Sequence, residues 1–98
     1  MAISIRWNRQ AIKQLEEAIA FIEKESPASA EKVKRAILEK IDELLLHPEQ
    51  HAPDKYKTNN DESYRAFELH HYRISYRYKA AQVRIIRIRH TKMNPLPY

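Results

Sequence analysis

The 98-residue chain has no cysteine and no glycine, and each absence closes off some chemistry. Without cysteine there is no disulfide framework, no thiolate nucleophile and no Cys-based zinc site. Average glycine usage of roughly 7% would supply about seven residues. Turns that need positive φ must therefore use Asn, Asp or other residues. Long apolar runs are missing too. The opening Met1–Trp7 carries no apolar stretch of signal-peptide length, and the longest aliphatic run, Leu44-Leu45-Leu46, is far too short to span a bilayer. A cytoplasmic protein without membrane contact is expected.

The length predicts one domain, residues 1–98, with a core small enough that a bound partner would add to its stability. Apolar residues at 43% and charged residues at 32% suit a folded chain rather than a disordered one. The net charge of +5 is unevenly spread: residues 1–63 hold ten Lys/Arg against twelve Asp/Glu, while residues 64–98 hold eight against Glu68 alone. A strongly basic back half on a near-neutral front half points to an anionic partner: nucleic acid, the ribosome or an acidic protein segment.

Ile3, Ile5 and Trp7 alternate with Ser4 and Arg6, which predicts a short half-buried strand. Asn8 is placed to cap a helix. Ala11, Ile12, Leu15, Ala18, Ile19 and Ile22 follow at steps of three and four, an apolar stripe opposite Lys13, Glu16, Glu17 and Glu23. Ser26-Pro27 restarts the chain with a cap residue and a proline at the first helical position. A second stripe runs through Ala30, Val33, Ile37, Ile41, Leu44 and Leu45 and stops at His47-Pro48. The short connection makes the two helices an antiparallel hairpin, with charges such as Glu31 and Arg35 solvating its outside.

Residues 49–63 are polar and read as a loop. Three strand patterns come next: Tyr64–Leu69, with Arg65, Phe67 and Leu69 on one side; Tyr72–Tyr78, alternating against Arg73, Ser75 and Arg77; and Val83–His90. In the last, Val83 and Ile85 are out of phase with Ile86, Ile88 and His90, which predicts a bulge or a strand start buried on both faces. Lys79-Ala80-Ala81-Gln82 is the expected hairpin turn, and Thr91–Tyr98, with Pro95 and Pro97, an irregular tail. The fold class is α+β: an N-terminal strand, an antiparallel helical hairpin and a three-stranded antiparallel sheet, the helices packed on one sheet face. Tyr72, Tyr76 and Tyr78 then belong to the core. Arg73 and Arg77 face outward, with Arg87 and Arg89 near them.

That succession resembles the RelE/ParE superfamily of toxins from type II toxin–antitoxin systems, and the ParE-like members more than the RelE-like ones. The resemblance is carried by Phe21-Ile22-Glu23-Lys24-Glu25-Ser26-Pro27, by Leu44-Leu45-Leu46-His47-Pro48 and by Tyr64-Arg65. It continues through His71-Tyr72-Arg73-Ile74-Ser75-Tyr76-Arg77 and Val83 to His90, followed by Lys92-Met93-Asn94. It implies a growth-inhibiting toxin held inactive by a cognate antitoxin from the same operon, with DNA gyrase as the target for a ParE-like member. For a RelE-like member it implies ribosome-dependent cleavage of mRNA.

Cleavage would need a base for the 2′-hydroxyl, a cation on the phosphorane and an acid for the leaving oxygen. The residues in position for it are Arg73, His90, Lys92 and Tyr98, while Tyr64 and Ala66 stand where RelE-like enzymes carry paired lysines. His70 and His71, read as strand residues, point to opposite faces. Neither metal nor cofactor is expected, since the histidines lack ligand spacing. Antitoxin and target binding are assigned to Arg65, Arg73, Arg77, Arg87 and Arg89, with antitoxin Asp or Glu side chains directed toward Arg73, Arg77 and Arg89. A non-toxic module that binds nucleic acid through the basic face is the third reading.

Overall fold

The computed structural model describes residues 2–94 and 96–98, so Pro95 of the tail lies outside the described residues. The elements run β1 (Ser4–Trp7), α1 (Arg9–Glu23), α2 (Pro27–Asp42), a 3-10 turn (Glu43–Leu45), β2 (Tyr64–Leu69), β3 (Tyr72–Lys79) and β4 (Gln82–His90). The sheet has four strands in the order β1-β4-β3-β2. The last three form an antiparallel meander, and β1 adds in parallel beside β4. The N-terminal strand thus makes the sheet mixed and places β4 in its interior.

Ala11, Ala18, Ile37, Ile41 and Leu44 from the helical segment meet Phe67, Tyr72, Ile74, Tyr76, Val83, Ile85 and Ile88 from one sheet face in a single core. Each fully buried Ile or Leu there contributes roughly 1.5–3 kcal/mol relative to exposure. The Ser26 hydroxyl accepts from the Ser29 N–H at 3.1 Å and caps α2 as expected. Asn8 does not act through its side chain on α1; its Oδ1 accepts from Arg84 at 3.1 Å instead.

The phase slip in β4 is a bulge. Ser75 pairs with Arg87 and Tyr76 with Ile85, which leaves Ile86 unmatched. Val83 and Ile85 before the bulge, and Ile88 after it, therefore all reach the core. Both hairpins turn on two residues at positive φ: His70 and His71 at 50° and 69°, Ala80 and Ala81 at 53° and 58°. That is the geometry of turns that ordinarily carry Asn-Gly. His70 and His71 are turn residues rather than strand residues, so the alternation argument for their side chains does not apply.

Candidate functional site

Strand register divides the side chains cleanly. Tyr64 pairs with Arg77, Glu68 with Arg73, Arg73 with Arg89, Arg77 with Arg84 and Arg84 with Arg6, and all of these share the face turned away from the helices. Lys79, Ser75 and Arg87 join them. Arg65 does not. It pairs with Tyr76 on the core face, and its guanidinium donates to the Glu49 and His51 carbonyls and lies 3.5 Å from the Glu49 carboxylate. Its own alternation with Phe67 and Leu69 places it there, apart from Arg73, Arg77, Arg87 and Arg89.

The outer face is covered in part by the loop before β2 and by the tail. Pro53 bridges to Arg65, and the Asp54 N–H donates to the Tyr64 carbonyl at 2.8 Å, so this loop lines the free edge of β2. Asn60 fastens it, donating to the Tyr64 carbonyl at 2.9 Å while its own oxygen accepts from the Tyr64 N–H. The Asp54 carboxylate is thereby carried inward to 2% exposure. One of its oxygens accepts from Arg73 Nη2 at 2.8 Å and from the Tyr56 N–H at 3.1 Å; the other accepts from the Tyr98 phenol at 2.7 Å. The tail is tied down further by Tyr98 N–H to the Tyr56 carbonyl and by Thr58, whose N–H and hydroxyl both donate to the Tyr98 backbone oxygen.

Burial alone would raise the pKa of Asp54, but the hydrogen bonds from Tyr98, Arg73 and Tyr56 outweigh it and hold the carboxyl below its ordinary value. Burial also works against the Arg73 charge; Asp54 and Glu68 more than offset it and raise its pKa. The Tyr98 phenol is pushed up by burial and by the Asp54 carboxylate, so it stays a hydrogen-bond donor. The Tyr98 ring faces the Arg87 guanidinium at 4.0 Å, and Arg73 lies 4.8 Å from the Tyr56 ring. The Ser75 hydroxyl is 1% exposed next to the Asp54–Tyr98 pair, yet finds no partner at acceptable hydrogen-bond geometry.

The residues expected for RNA cleavage are only half assembled. Arg73 and Tyr98 share Asp54. His90 pairs with Tyr72 in register and packs edge-on against its ring at 5.0 Å, on the face opposite Arg73. Its Nδ1 accepts from the Lys92 N–H, and the Lys92 side chain is exposed. Arg73 itself is engaged by Asp54 and, at 3.0 Å, by Glu68. Arg77 and Lys79 lie 3.6 and 3.8 Å from Asp61. This face can hold anions, and the carboxylates Asp54, Glu68 and Asp61 on it are each already engaged by a cation. Asp54 and Tyr56 were missed from the sequence, because a polar loop has no periodicity to show where it docks. The one available signal was the charge imbalance: an arginine-rich sheet with Glu68 as its only carboxylate needs an acid from elsewhere.

Among the described residues, no helix is long and apolar enough to cross a membrane, and no group of three His, Asp or Glu side chains could hold a metal ion.

Comparison with known proteins agrees with this fold. The family model described as ParE toxin of type II toxin-antitoxin system, parDE, matches residues 5–95. Among solved structures, the chromosomal ParDE toxin–antitoxin system from P. aeruginosa aligns with a TM-score of 0.71 at 21% identity, covering 93% of this chain and 98% of that one. The toxin–antitoxin complex RelBE2 from Mycobacterium tuberculosis aligns with a TM-score of 0.50 at 16% identity, covering 92% of each chain. At those identities the likeness speaks for the fold alone. No curated protein matches the sequence.

Proposed function

Because this chain belongs to the ParE toxin family of type II toxin–antitoxin systems, we propose that it arrests growth by poisoning DNA gyrase rather than by cutting RNA. The observation that carries this choice is the state of the would-be nuclease centre. Arg73 is held by two carboxylates, the Tyr98 phenol donates into one of them, and His90 lies on the other side of the sheet. General acid–base catalysis needs a proton acceptor within hydrogen-bond reach of the substrate hydroxyl, and the carboxylates Asp54, Glu68 and Asp61 of this face are each engaged by a cation.

On this reading residues 1–98 act as one cytoplasmic toxin domain without a cofactor. A cognate antitoxin covers the outer face with an acidic segment that folds as it binds. The two solved structures named above are toxin–antitoxin assemblies, which supports a protein partner of that kind. Arg73, Arg77, Arg87 and Arg89 are the proposed contact residues, and Arg65 is left to anchor the loop.

The test mixes purified protein with gyrase and supercoiled DNA. Accumulation of cleaved DNA covalently held by gyrase is expected; unchanged supercoiling with no cleavage complex overturns the reading. Ribosome-dependent mRNA cleavage is the second reading, favoured by the sharing of Asp54 between Arg73 and Tyr98. It predicts codon-positioned cuts in a toeprinting assay, and an intact message removes it.

A further inference from the structure

The cations of the outer face divide by strand. On β3, Arg73, Arg77 and Lys79 each lie within ion-pair distance of a carboxylate. On β4, Arg84, Arg87 and Arg89 have no such partner among the described residues. Arg84 is satisfied by Asn8 and Gln82, and Arg89 by the Asn94 carbonyl. Arg87 is different. It is only 7% exposed, yet its one described partner is the face of the Tyr98 ring at 4.0 Å. A ring face attracts the charge but leaves the five N–H donors of a guanidinium without acceptors. Burial and the nearby Arg89 and Arg73 depress the Arg87 pKa, with burial the largest cause, against the pull of Tyr98 and Asp54. The unpartnered Arg87 nitrogens are not fully enclosed, so they are open to an acceptor from outside.

A small cavity of about 30 Å³ opens beside it, lined by Tyr56, Arg73, Ser75, Arg87 and Arg89 together with His90, Thr91, Met93 and Leu96. Two buried polar atoms in its wall lack partners, Arg73 Nε and Ser75 Oγ, and Ser75 stands opposite Arg87 in the β3–β4 register. Unfilled donors from three side chains therefore belong to one cavity.

We propose that this cavity is a binding site for a single carboxylate, the side chain of an aspartate or glutamate in an acidic peptide segment. Its assignment to the antitoxin rests on the function proposed above. The planar guanidinium of Arg87 matches the two oxygens of a carboxylate. A phosphodiester would bring a tetrahedral group with two ester substituents into a space that holds little more than one small planar group. Met93 and Leu96 line the rim of the same face and are exposed, which gives the methylene stem of a glutamate apolar contact.

Titration of the full chain with hexaglutamate and, separately, with hexathymidylate tests the site, with NMR following the Arg73 and Arg87 Nε–H resonances. Hexaglutamate is expected to move both resonances saturably. Arg87→Gln should weaken that binding about tenfold or more, while Arg6→Gln, on the same face but outside the cavity, should change it less than about threefold. Ser75→Ala, a smaller change with an expected loss of about threefold, carries the test should Arg87→Gln fail to fold. Unmoved resonances, equal losses for Arg6→Gln and Arg87→Gln, or tighter binding of hexathymidylate would each overturn the proposal. The gyrase assay reads a different property, so its failure would leave this titration standing, and the reverse holds as well.

Discussion

The Tyr98 phenol donates to Asp54 at 2.7 Å across a sequence separation of 44 residues, and that carboxylate also takes Arg73 at 2.8 Å. Asp54 is thus the point where loop, tail and sheet meet. Asp54→Asn removes the charge that pairs with Arg73 and turns the oxygen facing Tyr98 into an amide donor, so that hydrogen bond must reverse. A loss of about 2–3 kcal/mol is expected, together with a loosened tail. Its acid dependence has a fixed sign. The folded pKa lies below the ordinary 3.8, so the stabilisation is present above that value and is lost as pH falls through the folded pKa. Melting temperatures from pH 7 down to pH 2 should fall more steeply for the native chain than for Asp54→Asn. Parallel curves would show that Asp54 adds nothing through its charge.

Tyr76 gives the opposite sign at the alkaline end. Its side chain is fully buried, its hydroxyl donates to the Pro48 carbonyl at 2.8 Å, and burial pushes its pKa from 10.0 up to about 12. Stability from the protonated phenol is complete below pH 10 and drains away as pH rises toward 12, by on the order of 2 kcal/mol. Tyr76→Phe should be less stable at neutral pH by about 1 kcal/mol and should lose less between pH 10 and 12. The check is urea unfolding at fixed pH steps; equal losses for both proteins count against the assignment.

Ala80 and Ala81 both sit at positive φ in the β3–β4 turn, where a Cβ clashes with the backbone and costs roughly 1–2 kcal/mol per residue. Replacing the pair by Asn-Gly suits the same turn. The double variant should gain about 1–2 kcal/mol, read as a higher urea midpoint with unchanged slope. An unchanged midpoint would mean that the turn carries no such strain.

The elements were legible because burial imposes periods of 2.0 and 3.6, and even the bulge showed in the phase break between Ile85 and Ile86. What could not be read was the docking of segments without periodicity. Asp54, Tyr56 and Thr58 sit in a polar loop whose position is set by Asn60 and by edge pairing with β2. His70 and His71 look like strand residues because, without glycine, nothing marks the turn they form. Arg65 was within reach of sequence alone, since alternation with Phe67 and Leu69 already separates it from Arg73 and Arg77. His90 was within reach in the same way, since its phase with Ile88 already sets it on the face opposite Arg87 and Arg89, beside Tyr72.

The bulged residue of β4 supplies a sharp prediction. Deleting Ile86 joins Ile85 directly to Arg87 and restores simple alternation along β4. Val83, Ile85 and Ile88 then all stay on the core face and Arg84, Arg87 and Arg89 on the outer one, because only the bulged residue is removed. The deletion should therefore keep a cooperative melt and dispersed methyl resonances in proton NMR, as should Ile86→Thr, which keeps the register. An unfolded deletion variant would mean that the bulge itself is needed for the fold.

The distribution of paired and unpaired cations also decides where an acidic partner gains most. A new carboxylate approaching Arg77 or Lys79 meets Asp61 already there, and one approaching Arg73 meets Asp54 and Glu68. On β4 no such competitor stands beside Arg84 or Arg89 among the described residues. Within the proposed contact set the larger contribution is therefore expected from the β4 side, where Arg84 adds to Arg87 and Arg89. Neutralising Arg84 and Arg89 together to Gln should raise the dissociation constant of the toxin–antitoxin complex about tenfold to a hundredfold, by removing close charge pairs. Neutralising Arg77 and Lys79 should change it by less than about threefold, since both cations already share Asp61 and gain less from a second carboxylate. Calorimetry at two salt concentrations makes the comparison, because the β4 variant should also lose part of the salt dependence. Equal effects from the two double variants would show that the partner senses only net charge.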